Sequence, residues 1–515
     1  MKRTSARIWF TLAVGVLVPS GVWAQHAQEA QSDSTPSRSM KEPTPARWAS
    51  QHSTVIDGKT VKYEAVVGSI ILRNSEEEAI AEVFYTSYTR TDVRDVSHRP
   101  IVFSYNGGPG SSSFWLHMGV MGPKRVRTPT TKHTGPAPYT IQDNPATLLD
   151  RTDIVMVDPV GTGFSRPLGK AKGKEFWGVS EDARSLTQFI QRYISQHKRW
   201  NSPKYLLGES YGTMRSAVLA GTLQRANIDL NGIVLVSAVL DLQTLIFSPN
   251  DDLPYVVNLP TYAATAWYLD ALPGTRPPEL KPFLKEVEEF AVNDYATALL
   301  AGGTLDANMR NNILDRLHAY TGLSRDFLDD ADLRVTAPEF EKELLRNRGS
   351  VVGRLDSRFT GPTGDLLNRT PSQDPQSSAI SAAYAAAWNT YLREDLGYDG
   401  EREYVPSGNV QPWNWEFGSS VGFGQRGLTN VGPAFRQALE RNPNLKVLLV
   451  TGLYDLATPY FAAVWTMDHL GLTPELRANI SRADFDAGHM MYVNEDVLPI
   501  WRKTISEFID RTSGK

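Results

Sequence analysis

The fold turns on the stretch from Lys204 to Leu223, "KYLLGESYGTMRSAVLAGTL". Tyr205, Leu206 and Leu207 make a short apolar run of the kind a buried strand carries, and Met214, Val218 and Leu219 recur afterwards at helical spacing. Between them, Gly208-Glu209-Ser210-Tyr211-Gly212 fits G-x-S-x-G. In that pattern a sharp strand-to-helix turn exposes a serine hydroxyl, and the glycines relieve the crowding. Alone the pattern is weak, because a serine in an ordinary glycine loop matches it equally well. A nucleophile at Ser210 requires a base, an acid and an oxyanion-binding loop elsewhere in the chain.

Outward from this turn, continuous apolar runs each end in glycine, proline or small polar residues. They are "PIVFSYNGG" from Pro100, "DIVMVDPVG" from Asp153, "GIVLVSA" from Gly232 and "LKVLLVTG" from Leu445. Runs without alternation are expected of strands covered on both faces, as in a parallel sheet. Between the second run and Lys204, Leu186, Phe189, Ile190, Tyr193 and Ile194 form one helical stripe behind a Ser180 cap. Upstream, "STVIDGKTVKYEAVVGSIILRN" and "AIAEVFYTSYTR" alternate around an Asp57-Gly58 turn, which signals antiparallel hairpins. The fold class is therefore α/β: a mostly parallel, doubly wound sheet entered through an antiparallel edge, with ligands expected at the carboxyl ends of its strands. The core is expected over residues 51–240 and 406–515. A mainly helical insertion, 241–405, would cover the sheet's active edge as a cap.

Composition narrows the classes. The chain has 515 residues, 41% hydrophobic and 21% charged, with a net charge of −4. These values suit a globular protein and give no pull toward nucleic acid or anionic membrane. Lys2, Arg3 and Arg7 precede an apolar run from Ile8 to Val18, and Val22-Trp23-Ala24 ends in a small residue. This reads as a secretory signal peptide, 1–24, since the run is shorter than the roughly 20 residues a membrane span needs. A polar, proline-bearing leader is expected over 25–50, and the mature chain is expected in a periplasm or outside the cell, with no stable membrane insertion. With no cysteine there are neither disulfides nor a lipidated cysteine anchor. No H-E-x-x-H pair and no Walker or dinucleotide glycine loop is present, so neither metal nor nucleotide cofactor is expected.

In this architecture the triad runs nucleophile, acid, base along the chain. Asp455 follows the strand "LKVLLVTG", and His489 stands behind a glycine in "DAGHMMY". His489 would take the Ser210 proton and return it to the leaving group, while Asp455 holds the imidazole tautomer and stabilises the imidazolium. Asp158 also ends a strand but precedes the serine, and Asp486 is too near His489 in sequence, so both fit the order less well. "SYNGGPGSSS" supplies a glycine-rich loop after an early strand. The backbone N–H groups of Gly108 and Tyr211 are the oxyanion candidates.

"NGGPGSS", "DPVGTGFS", "GESYG", "GLYD" and "GHM", in this order between about Val102 and Met490, resemble the serine carboxypeptidase family. The resemblance implies an α/β-hydrolase fold and a secreted enzyme that removes C-terminal residues from peptides. By the same match, Asn106 and Glu209 would hydrogen-bond the substrate's terminal carboxylate. Two carboxylates approach only if they share a proton, so Glu209 would have to be protonated and the activity would favour mildly acidic pH. The chain departs from the family pattern at three positions. Val120 stands where a glutamate partner of Glu209 is usual, Ser111 where a cysteine often follows NGGPG, and Ser104 where a tryptophan precedes the asparagine. Lys124, Arg125, Arg127 or Arg215 would be substitutes for the missing carboxylate contact, or else surface charges. The same triad would equally serve an esterase or acyltransferase, and a binding protein with a silent hydrolase fold is the remaining class. The Trp413-Asn414-Trp415 cluster would either line a pocket or pack.

Overall fold

The computed structural model describes residues 42–418 and 427–514. The expected signal peptide and most of the expected leader lie outside the described residues. Strand β1 (Arg47–Ile56) already occupies the last few positions assigned to that leader. It pairs antiparallel with β2 (Lys59–Arg73) across the Asp57-Gly58 turn, where both residues have positive φ, as a tight hairpin requires. Strand β3 (Ala79–Arg90) returns antiparallel to β2.

The apolar runs then form β4 (Ile101–Tyr105), β5 (Asp153–Val157), β6 (Lys204–Glu209), β7 (Gly232–Val236) and β8 (Lys446–Gly452), followed by β9 (Ile480–Phe485). The sheet order is β1-β2-β3-β5-β4-β6-β7-β8-β9. From β5 to β9 every pairing is parallel; β5 meets β3 antiparallel. Strands β4 to β7 are buried along their whole length, which is why their sequences show no alternation.

One face of the sheet is covered by α1 (Val179–Gln196), α2 (Tyr211–Arg225) and α7 (Gly432–Arg441), which share a core with alternate residues of the strands. The stripe of α1 is buried as its period requires. Its N-cap is Gly178 rather than Ser180, because the loop already satisfies the first turn: Val179 N–H donates to Asn414 O at 3.0 Å. The other face carries α9 (Leu498–Thr512) and, unexpectedly, α6 (Pro375–Thr390), whose Ile380, Ala383, Tyr384, Ala387 and Trp388 join the sheet's own core. The interval 241–405 therefore divides. Helices α3 (Leu253–Tyr268), α4 (Leu280–Phe290) and α5 (Ala307–Thr321) close a separate apolar cluster seated on Leu453, Tyr454, Leu456 and Tyr460. Helix α6 belongs to the body beneath. Between them the chain makes a small hairpin, Ser350–Val352 with Thr360–Pro362, ahead of α8 (Tyr460–Asp468) farther along the sequence.

Candidate active site

Ser210 sits between β6 and α2 with φ 60° and ψ −130°, a conformation that L-residues rarely adopt and that costs about 1–3 kcal/mol. The surroundings enforce it: Ser210 N–H donates to Val236 O at 3.0 Å, and Ser210 O accepts from Thr213 N–H at 2.8 Å. The need for glycine at 208 is steric, since a Cβ there would lie 2.2 Å from Gly212 O.

Asp455 lies just past β8 and is fully buried. Its Oδ1 accepts from Ala457 N–H (2.8 Å) and Thr458 N–H (2.9 Å); its Oδ2 accepts from the Thr458 hydroxyl and faces His489 Nδ1, each at 2.8 Å. His489 follows β9 in a loop and is buried. Burial opposes protonation of its imidazole, but the Asp455 charge and hydrogen bond outweigh that and raise its pKa. The two competing aspartates are engaged elsewhere. Asp158 accepts from Ser113 N–H and Oγ, both 2.8 Å, and from Tyr404 at 3.1 Å, while Asp486 offers its backbone carbonyl to Arg358.

The "NGGPG" loop after β4 lies directly on the Ser210 turn. A Cβ on Gly107 would fall 2.5 Å from Tyr211 N and 2.7 Å from Glu209 O, so only glycine permits this approach. Gly108 and Tyr211 both border the cavity that Ser210 borders. Tyr211 N–H opens the first turn of α2, where no helical carbonyl is available to it.

Two cavities meet at Gly108, Ser210, Arg354 and Ala457. One, of about 220 Å³, also holds Asn106, Glu209, Trp115, His489 and Met490. The other, of about 330 Å³, runs under the cap between Tyr211, Met214, Leu245, Phe247 and Trp415, with Asn258 and Glu341 also in its wall. His489 stands in the first; a proton donor there would serve a leaving group on that side and leave the second for the acyl part. Asn106 Nδ2 donates to Glu209 Oε1 at 2.7 Å, and burial pushes the Glu209 carboxyl up to about 7. Val120 is buried in the turn of helix at His117–Met121. Tyr492 packs against Gly119 in that turn, and its hydroxyl and Glu209 Oε2 are both buried and interact with one another outside good hydrogen-bond geometry.

None of the four substitute cations borders either cavity. Lys124 pairs with Asp143 (2.6 Å), and Arg125 and Arg127 with Glu495 (3.0 and 3.6 Å). Arg215 is neither a surface charge nor a carboxylate ligand: it is buried, donating to Asp182 Oδ2 and Asn106 O, both at 2.6 Å, between the rings of Tyr105 and Tyr211. The cation at the junction is Arg354, whose guanidinium makes no ion pair among the described residues. It stands in the insertion, in a segment without any motif. Thr458 was likewise illegible, whereas Tyr492 follows the "GHM" motif closely. Trp415 borders the acyl-side cavity, while Trp413 is buried against Tyr211 with ring centroids 5.3 Å apart. Among the described residues no cluster of three or more histidine or acidic side chains is disposed to hold a metal ion, and no helix is long and apolar enough to cross a membrane.

The family model described as serine carboxypeptidase matches residues 59–258. Human retinoid-inducible serine carboxypeptidase is 28% identical over 176 residues, covering 33% of this chain and 34% of its own length. The pheromone-processing carboxypeptidase KEX1 of Saccharomyces cerevisiae is 28% identical over 155 residues, covering 28% of this chain and 20% of its own. The chain thus spans about a third or less of these curated relatives. A crystal structure of the Saccharomyces cerevisiae prohormone-processing carboxypeptidase superposes with a TM-score of 0.51 at 16% identity, over 88% of this chain and 91% of that one, so the two share a fold. The family match covers β2 through the glycine loop after β4 and the Ser210 turn, so that residues 59–258 are similar to serine carboxypeptidases, and the chain as a whole has an α/β-hydrolase fold.

Proposed function

We propose that the protein is a serine-type carboxypeptidase that trims single residues from the C-termini of peptides. The observation that carries this reading is the buried Asn106–Glu209 pair in the same cavity as His489. A carboxyl group held neutral up to about pH 7 is a donor suited to a substrate carboxylate, and Arg354 at the cavity mouth supplies the countercharge.

Ser210 Oγ attacks the last peptide carbonyl as its proton passes to His489. The tetrahedral oxyanion is met by the N–H groups of Gly108 and Tyr211. His489 then gives the proton to the departing amine, leaving an acyl ester on Ser210, and water attacks that ester by the same route in reverse. Asp455, fixed by Thr458 and Ala457, keeps the imidazole oriented throughout. The apolar run Ile8–Val18 behind Lys2 and Arg3 supports export of the enzyme to a periplasm or the medium.

Mass spectrometry of a mixed peptide set, with free-acid and amidated C-termini, at about pH 5 and about pH 7.5, tests this. Single-residue loss from free-acid ends is expected, suppressed by amidation and abolished in Ser210→Ala. The second reading, an esterase or acyltransferase, is favoured by Val120, which leaves Glu209 without a partner carboxylate. It would be adopted if no peptide were trimmed while a fluorophosphonate still labelled Ser210.

A further inference from the structure

Glu341 lies in the short helix Ala337–Glu343 and is 4% exposed, in the wall of the acyl-side cavity. Neither of its carboxyl oxygens receives a hydrogen bond from the protein, and Oε1 is fully enclosed. Asn258, on α3, stands in the same wall; one N–H of its amide donates to Pro254 O at 2.7 Å, and its carbonyl oxygen makes no hydrogen bond with any described residue and is available as an acceptor. Two acceptors thus share the wall of a cavity that is also lined by Leu242, Leu245, Phe247, Met214 and Trp415. A buried carboxyl without a donor is costly, and structures retain such a group where something else supplies the donor. Burial pushes the Glu341 carboxyl up to about 8, against the opposing charge of Arg354, which makes no ion pair with it and also borders the cavity beside His489, so a ligand cation would be needed to hold it ionised.

We propose that Glu341, assisted by Asn258, selects substrates whose acyl-side residue carries an ammonium or guanidinium group on an aliphatic stem. The stem lies along the apolar side chains, and the cation meets the Glu341 carboxylate and the Asn258 carbonyl. Arg354 is then free to face the terminal carboxylate, so the pair of charges on the protein, one negative and one positive, mirrors the pair on the substrate. This inference rests on the carboxypeptidase reading only for the position of Arg354. The acyl-side selection holds for an ester donor as well.

The test uses the full-length enzyme, with N-acyl-lysine and N-acyl-norleucine methyl esters as substrates and the corresponding diphenyl phosphonates as labels of Ser210. These probes carry no terminal carboxylate, so their outcome is independent of whether peptides are trimmed. A lysine-over-norleucine preference of about tenfold or more in ester kcat/KM, or in labelling rate where esters turn over slowly, is expected. Glu341→Gln is expected to bring that ratio to about one while norleucine rates hold or rise, and Asn258→Leu to reduce it; Arg354→Gln, which removes a like charge, is expected to raise it. Norleucine equal to or better than lysine in the unmodified enzyme, or a lysine preference untouched in Glu341→Gln, would overturn the proposal. Loss of peptide trimming with the lysine preference intact would instead sink the carboxypeptidase reading alone.

Discussion

Glu209 carries two demands in one side chain. It occupies the position before Ser210, and its carboxyl is buried between Asn106 and the Tyr492 hydroxyl. Burial pushes its pKa up to about 7, so the neutral form that can donate to a substrate carboxylate prevails below that pH and is lost above it. His489 works in the opposite sense, since its raised pKa means that the base form fades as pH falls. For free-acid peptides, kcat/KM should therefore fall on both sides of a mildly acidic to neutral maximum. In Glu209→Gln the alkaline fall should disappear, because the amide keeps its donor at every pH; pH–rate profiles of the two proteins check this, and an unchanged alkaline limb would remove Glu209 from carboxylate recognition. The partners of this residue were unevenly legible. Asn106 and Glu209 stand in motifs that a turn and a strand end oblige. Tyr492, Arg354 and Glu341 reach the site from loops and an inserted helix, where nothing in a local sequence pattern fixes a side chain's destination.

The elements around Ser210 hold one another by close backbone contact. Gly107 lies on the first turn of α2, and no side chain there can yield, since the atoms within 2.8 Å of an added Cβ are all backbone. Gly107→Ala should displace the oxyanion loop and lower kcat/KM by at least about 100-fold, while the far-UV spectrum stays unchanged. The same junction is tied from below by the Arg215–Asp182 pair, which joins α2 to α1 and, through Asn106 O, to the loop. Asp182→Asn would leave the guanidinium buried without its counterion and should cost about 3–5 kcal/mol, measurable by chemical denaturation. The parallel strands were legible because burial on both faces erases alternation. The N-cap of α1 was not, because its first amide is satisfied by a carbonyl from Asn414, remote in sequence.

At the scale of the whole molecule, the insertion read as a single helical cap is two structures. Helices α3 to α5 form their own cluster, and α6 is part of the body. Composition alone gave no boundary between them, because both are amphipathic helices separated by polar loops. The seam is marked by His117, whose Nε2 lies 2.6 Å from the Tyr88 hydroxyl of β3 and whose ring packs 4.6 Å from that of Trp388 on α6. Burial pushes its pKa down to about 3 from the ordinary 6.5. The folded state thus refuses a proton that the unfolded chain accepts, so stability is lost as pH falls from about 6.5 toward 3, by up to about 1.4 kcal/mol per pH unit from this group. Unfolding titrations of the unmodified protein and of His117→Gln across that window should differ by this slope; parallel curves would show that the ring takes a proton without cost.

The cavity beside His489 holds about 220 Å³, room for little more than one residue. A chain threaded toward Ser210 therefore cannot slide onward after a cut. The freed amino acid lies deeper than the shortened peptide, so the peptide must withdraw before the product can leave and must re-enter one register farther along. Trimming will accordingly build a ladder of intermediates rather than run a chain to completion, with the dwell at each rung set by the residue that next faces the Glu341 side. An enzyme of the proposed kind would act as a finisher of ends, stopping where its sequence preference stops.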